Sequence, residues 1–175
     1  MTDDTSSGTT AENVTVNPLQ PGGGPAGPRH AGEGAFSDVG LLRIDHVGIA
    51  VADLDEALRF YAETFGLHCV HQETNEEQGV REAMLAVGDG AGPRLQLLAP
   101  ARPGSAIARF LDRSGPGLQQ LAYTVADVEA AAAALRARGL RLLYDTPKRG
   151  TAGSRINFVH PKDAGGVLVE LVEPV

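Results

Sequence analysis

The chain repeats itself once, at an offset of 74 positions. His46 opens the run His-Val-Gly-Ile-Ala-Val-Ala-Asp, and Gln120 opens Gln-Leu-Ala-Tyr-Thr-Val-Ala-Asp. Gln96 sits in Leu-Gln-Leu-Leu-Ala-Pro, and Glu170 in Val-Glu-Leu-Val-Glu-Pro. His46 to Gln96 and Gln120 to Glu170 both span 50 positions. A duplicated unit of this kind is a supersecondary module that leaves an apolar face uncovered until its copy packs against it. The implied fold class is α+β: two tandem βαβββ modules, about 41–100 and 115–174, in a curled mixed sheet around a cleft, with helices outside.

The first module reads strand by strand. In Arg43–Val51 the residues Ile44, His46, Gly48 and Ala50 fall on one face, and Val47, Ile49 and Val51 on the other. Asp53 followed by Glu56 is a capping-box pattern, and Leu54, Ala57, Leu58 and Tyr61 then take helical spacing up to Gly66, a helix-ending residue. Strands are expected over 67–72, 80–87 and 93–98, and a short linking helix over 106–113. The second module repeats the order: a strand over 118–125, a helix capped by Asp127 and ending near Gly139, then strands over 140–144, 155–159 and 166–172.

Residues 1–38 hold Gly22-Gly23-Gly24 and few large apolar side chains, so they are expected to form a disordered tail ahead of a single domain over 39–175. The tail lacks the apolar centre of a secretory signal, and it is acidic at its start, unlike a mitochondrial transit peptide. A net charge of −7 with no basic stripe argues against nucleic acid as a partner. No apolar stretch approaches the roughly 20 residues needed to span a bilayer. The single cysteine, Cys69, excludes an internal disulfide or a thiolate zinc cluster, and the expected compartment is a reducing cytoplasm.

The polar residues inside the apolar runs carry the chemistry. A buried, unpaired Glu170 would be costly and needs a proton, a cation or donors. His46 offers a ring nitrogen, Gln96 and Gln120 amide oxygens, and Glu170 a carboxylate; the set suits a divalent ion with positions left for substrate. Taken singly, a strand histidine is more often a hydrogen-bonded core or surface residue, and each glutamine an ordinary solvent-facing one. Their equivalence under the repeat argues against four separate accidents. Glu82 breaks the symmetry, because its repeat mate is Ile156. A carboxylate beside a metal-bound acid is suited to take a proton. His68 and His71 are read as surface residues on a sheet edge, and His160 as the end of a strand.

Several segments resemble the vicinal oxygen chelate superfamily, and within it the methylmalonyl-CoA epimerases: Ile-Asp-His-Val-Gly-Ile-Ala-Val (44–51), Glu-Glu-Gln-Gly-Val (76–80), Leu-Gln-Leu-Leu-Ala-Pro (95–100) and Arg-Ile-Asn-Phe-Val-His-Pro-Lys (155–162). The resemblance implies metal ligands at His46, Gln96, Gln120 and Glu170, with Gln119-Gln120 standing where the family pattern has two adjacent histidines. It implies a divalent metal, cobalt first, with manganese, nickel, zinc or magnesium as alternatives. It implies Glu82 as a base and Glu170 near the opposite face, inverting the α-carbon of methylmalonyl-CoA by way of a metal-stabilised enolate. It further implies an acyl-CoA substrate and a homodimer. Lys148 and Lys162 are candidates for phosphate contact, and 150–153 for a loop over the thioester. Two alternatives stay open: a non-catalytic, antibiotic-sequestering module, and another enzyme of the superfamily such as a lactoylglutathione lyase or a ring-cleaving dioxygenase. A single histidine among the four positions disfavours iron chemistry.

Overall fold

The structure is a computed structural model and describes residues 37–175. The tail expected over 1–38 therefore lies almost wholly outside the described residues. Among these, eight strands and three α-helices follow in order: β1 (Leu41–Ala50), α1 (Leu54–Phe65), β2 (His68–Asn75), β3 (Val80–Ala86), β4 (Arg94–Pro100), α2 (Ala106–Ser114), β5 (Gly117–Val125), α3 (Val128–Ala137), β6 (Lys148–Arg149), β7 (Arg155–Val159) and β8 (Leu168–Glu173).

The strands make one sheet in the order β2-β3-β4-β1-β5-β8-β7-β6. Within each module the first strand pairs parallel with the last, β1 with β4 and β5 with β8, and the others pair antiparallel. The modules meet where β1 runs antiparallel to β5. That seam brings the two halves of the repeat side by side, with Gly48 opposite Gln120 and His46 opposite Ala122. The result is the curled mixed α+β sheet that the duplication implied.

Local chemistry fixes the helices. The Asp53 carboxylate accepts the Glu56 N–H at 2.8 Å, and Gly66 ends α1 at φ 69°. Asp127 accepts from Glu129 N and Ala130 N at 2.9 Å to start α3. Leu54 of α1 packs with Val51, Ala83, Leu85, Leu97 and Ala99 on the outer face of the first module. Val128 and Ala131 of α3 pack with Val125 and Leu171 on the second. Fully burying a side chain such as Leu54 is worth about 1.5–3 kcal/mol. The linking helix α2 differs: its Ile107 packs on Ala50, Val80 and Leu98, whose alternation places them on the face shared with His46, Glu82 and Gln96. It closes one end of the cleft rather than covering the outside.

One expected strand does not form. Between Leu140 and Tyr144 the structure has a single bridge, Leu142 to Val159, and the strand beside β7 is β6 instead. The cause is Asn157. Its fully buried amide donates from Nδ2 to Tyr144 O at 3.0 Å and accepts from Tyr144 N at 3.2 Å, so a side chain satisfies the backbone that a ladder would have paired.

Gly48 makes room for the seam. A Cβ placed there would stand 2.5 Å from Gln120 Cγ and 3.3 Å from Leu98 Cδ1. Gly48→Ala should therefore displace Gln120 and cost about 1–3 kcal/mol as overpacking, read as a lowered urea midpoint with unchanged slope.

Candidate metal centre and acid–base site

The four repeat-related residues converge. His46 of β1 and Gln96 of β4 come from the first module, and Gln120 of β5 and Glu170 of β8 from the second; all four side chains are buried. His46 Nε2 lies 3.1 Å from Glu170 Oε2. Gln120 Nε2 lies 3.3 Å from His46 Nε2, donates to Gln96 Oε1 at 3.3 Å and also donates to Glu170 Oε2. The strands, not their loops, hold this cluster, so its spacing is set by sheet register.

Two further residues orient the histidine. His46 Nδ1 lies 2.9 Å from Asp45 Oδ1, and Thr124 Oγ1 donates to Asp45 Oδ2 at 2.7 Å. Burial pushes the His46 ring toward neutrality, but Asp45 and then Glu170 overcome it and raise its pKa to about 9. The same bond to His46 draws the Asp45 carboxyl below its usual range against the cost of burial. Two carboxylates around the buried ring make this pocket favourable to positive charge.

The donor chemistry fits a divalent cation. Gln96 donates through Nε2 to Glu82 Oε2 at 3.0 Å and to Thr151 Oγ1 at 2.9 Å, which leaves its Oε1 facing the cluster. Turning the Gln120 amide by 180° puts its oxygen where its nitrogen stands, so it can serve as donor or ligand. His46 Nε2, the two amide oxygens and Glu170 Oε2 would then make a mixed N/O set with sites left for substrate oxygens. Asp45 behind His46 is the outer carboxylate that metal-binding histidines usually have.

Glu82 adjoins this set. It is 4% exposed, and its Oε1 has no hydrogen-bond partner among the described residues. Burial raises its pKa to about 7; the Thr151 hydroxyl works against the rise, and the charges of Glu73 and Glu170 add to it. Glu73 faces Glu82 across the β2–β3 pair.

A cavity of about 390 Å³ opens beside the cluster; His46 and Glu170 line it together with Arg43, Arg94 and Thr151, whereas Gln96 and Gln120 do not. Glu82 lies behind this wall, at Thr151 and Gln96. Neither Lys148 nor Lys162 lines the cavity. Lys148 Nζ pairs with Glu77 at 3.1 Å, and Lys162 is exposed beside His160, whose Nδ1 accepts the Lys162 N–H. His71, read as an edge residue, is on edge strand β2 but is only part-exposed. It lines the cavity, and its Nε2 lies 2.7 Å from Glu73 Oε2. His68 is exposed on the same strand. Sequence reading missed Asp45, Glu73, Arg43 and Arg94, and reached Thr151 only as part of the 150–153 loop. Only Asp45 had an available signal, as an acid beside the repeat histidine.

The model of the Glyoxalase/Bleomycin resistance protein/Dioxygenase superfamily matches residues 45–158. The chain belongs to that superfamily. It is 54% identical to a solved methylmalonyl-CoA epimerase from Mycobacterium tuberculosis, over 82% of this chain and 94% of that one, with a TM-score of 0.75. A Streptomyces coelicolor methylmalonyl-CoA epimerase variant in complex with 2-nitronate-propionyl-CoA is 51% identical over 77% of this chain and 99% of its own, with a TM-score of 0.73. The ethylmalonyl-CoA/methylmalonyl-CoA epimerase of Cereibacter sphaeroides is 36% identical over 74% of this chain and 96% of its own.

The raised Glu82 pKa has a consequence for the metal-free protein. Folded Glu82 binds its proton more tightly than an unfolded glutamate, so its contribution to stability is complete below about pH 4.5 and is lost as pH rises through about 7. Glu82→Gln should flatten that part of the stability–pH profile, a difference on the order of 3 kcal/mol between pH 5 and 8, measured by urea unfolding.

Proposed function

We propose that this chain is a methylmalonyl-CoA epimerase, inverting the α-carbon between the thioester carbonyl and the carboxylate. The observation that carries this reading is Glu82, a buried carboxylate with a free oxygen and a pKa near 7, tied through Gln96 to a cluster suited to a cation. A base poised near neutrality matches abstraction of a weakly acidic α-proton. The epimerases of similar sequence, including one solved with methylmalonyl-CoA, support an acyl-CoA substrate.

His46, Gln96, Gln120 and Glu170 would hold a divalent metal. Bound there, it supplies positive charge beside the substrate oxygen on which charge develops. Cobalt is the proposed ion on the family resemblance, and the mixed nitrogen and oxygen donors suit manganese, nickel, zinc or magnesium as well. Glu82 takes the α-proton from one face, and the enolate is reprotonated on the other; in the reverse direction Glu82 delivers the proton on its own face. Glu170, or water beside it, serves the other face; a carboxylate that also grips a cation is a weak base, and water beside it is the better donor. Asp45 keeps the His46 ring aligned. Arg43 and Arg94 at the cavity wall offer charge to the phosphates of the coenzyme A arm, a role the sequence had suggested for Lys148 and Lys162.

A cytoplasmic location and a homodimer belong to the same proposal. The exposed lone Cys69 supports the first, and the exposed apolar side chains of Leu41, Leu42 and Ile44 on β1 support the second.

Exchange of the substrate α-proton in deuterated water tests the reaction. Glu82→Gln should lower exchange and epimerisation together by at least about 100-fold while leaving methylmalonyl-CoA binding intact, and chelator-treated protein should lose both until a divalent ion is restored. Full exchange by Glu82→Gln would exclude Glu82 as the base. Arg94→Ala should raise KM for methylmalonyl-CoA about tenfold and leave KM for the truncated pantetheine thioester unchanged.

A further inference from the structure

The segment from Gly150 to Ser154 is a short strap that reaches from one edge of the sheet to the other. It follows β6, the last strand in the sheet order, yet it touches β2, the first, and β4. Ala152 holds a left-handed conformation, φ 54° and ψ 27°, which a side chain rarely adopts without external restraint. Its N–H donates to Glu73 Oε2 of β2 at 3.3 Å. The same Glu73 oxygen lies 2.7 Å from His71 Nε2, so the ring fixes the carboxylate in place. Next to Ala152, the Thr151 Oγ1 accepts the Gln96 amide at 2.9 Å. At the strap's start, Arg149 O accepts from Asn75 Nδ2 at 3.4 Å and from Gln78 Nε2 at 3.3 Å.

These bonds form a chain with a direction. His71 steadies Glu73, Glu73 anchors Ala152, and Ala152 sets its neighbour Thr151. Thr151 takes one N–H of Gln96 while Glu82 takes the other. An amide with both hydrogens engaged in this way has one orientation left, with Oε1 toward His46, Gln120 and Glu170. We propose that Glu73, braced by His71, is a positioning residue for the cation site. It pins the strap so that Gln96 presents oxygen rather than nitrogen to the ion. Glu73 touches none of the four ligands, and the repeat offers it no partner in the second module. Glu73 also faces Glu82, the acceptor of the other Gln96 N–H, so its effect reaches Gln96 through Thr151 and through Glu82.

This inference rests on the cation reading of the four-residue cluster, and its test separates the two. Cobalt titrations of the metal-free protein, followed by visible absorbance, give the ion affinity; hydrogen–deuterium exchange of residues 150–154 reports the strap. Glu73→Ala should speed strap exchange at least tenfold, leave β7 protected, and weaken cobalt binding on the order of tenfold, the usual size of an outer-shell loss. Glu73→Gln, which keeps an acceptor for Ala152, should stay within about threefold of the parent. Thr151→Val should weaken binding as Glu73→Ala does, and Thr151→Ser should restore it. The double variant Glu73→Ala/Thr151→Val should lose less cobalt affinity than the two single losses combined, because the two residues share the path through Thr151. A Glu73→Ala protein with a loosened strap and unchanged cobalt affinity overturns the inference, as do additive losses in the double variant. A parent protein that binds no cobalt removes the cation reading itself, and the inference with it.

Discussion

A ring nitrogen and a carboxylate from different halves of the chain meet in the interior, His46 Nε2 to Glu170 Oε2 at 3.1 Å, and the rest of the molecule is arranged around that meeting. Neither group tolerates burial alone, because removing an ion from water costs several kcal/mol unless a partner compensates. Their contact depends on β1 and β8 flanking β5, and so on the antiparallel seam between the modules. A pair of this kind adds little to net stability compared with well-packed apolar groups. Its presence among further buried polar strand residues, Glu82, Gln96 and Gln120, indicates a site for chemistry.

The surroundings follow from that constraint. Gly48 stands where the second module has Ala122, and the missing Cβ is what lets Gln120 lie across the seam. Asp45 holds the outer nitrogen of His46, and Thr124, from the other side of the seam, donates to Asp45. Two carboxylates surround one imidazole, so the site is locally acidic, as the whole chain is. Among the described residues, α1 and α3 pack on the face opposite the cluster, while α2 packs against the inward residues at one end.

Much of this was legible in the sequence because it obeyed short-range rules or an internal period. The cap at Asp53, the stop at Gly66 and the strand alternation around His46 are local. The four converging residues were readable through the 74-residue offset, which links distant positions without a structure. Glu82 stood out because its repeat mate is Ile156. What was hidden depended on contacts with no period. Glu73 and Thr151 matter only because the strap folds back onto the opposite edge, and Arg43 and Arg94 only because strand register brings them to the cavity. The expected strand at Leu140–Tyr144 was lost to Asn157, whose side chain does in the tertiary structure what no propensity scale assigns to an asparagine.

The division of donors between the modules has an implication for ancestry and for assembly. Each copy brings two of the four groups, His46 with Gln96 and Gln120 with Glu170. A lone ancestral module would thus have carried half a coordination sphere and would have needed a twin to complete it. Gene fusion would have made permanent, inside one polypeptide, a partnership that once had to be found by diffusion.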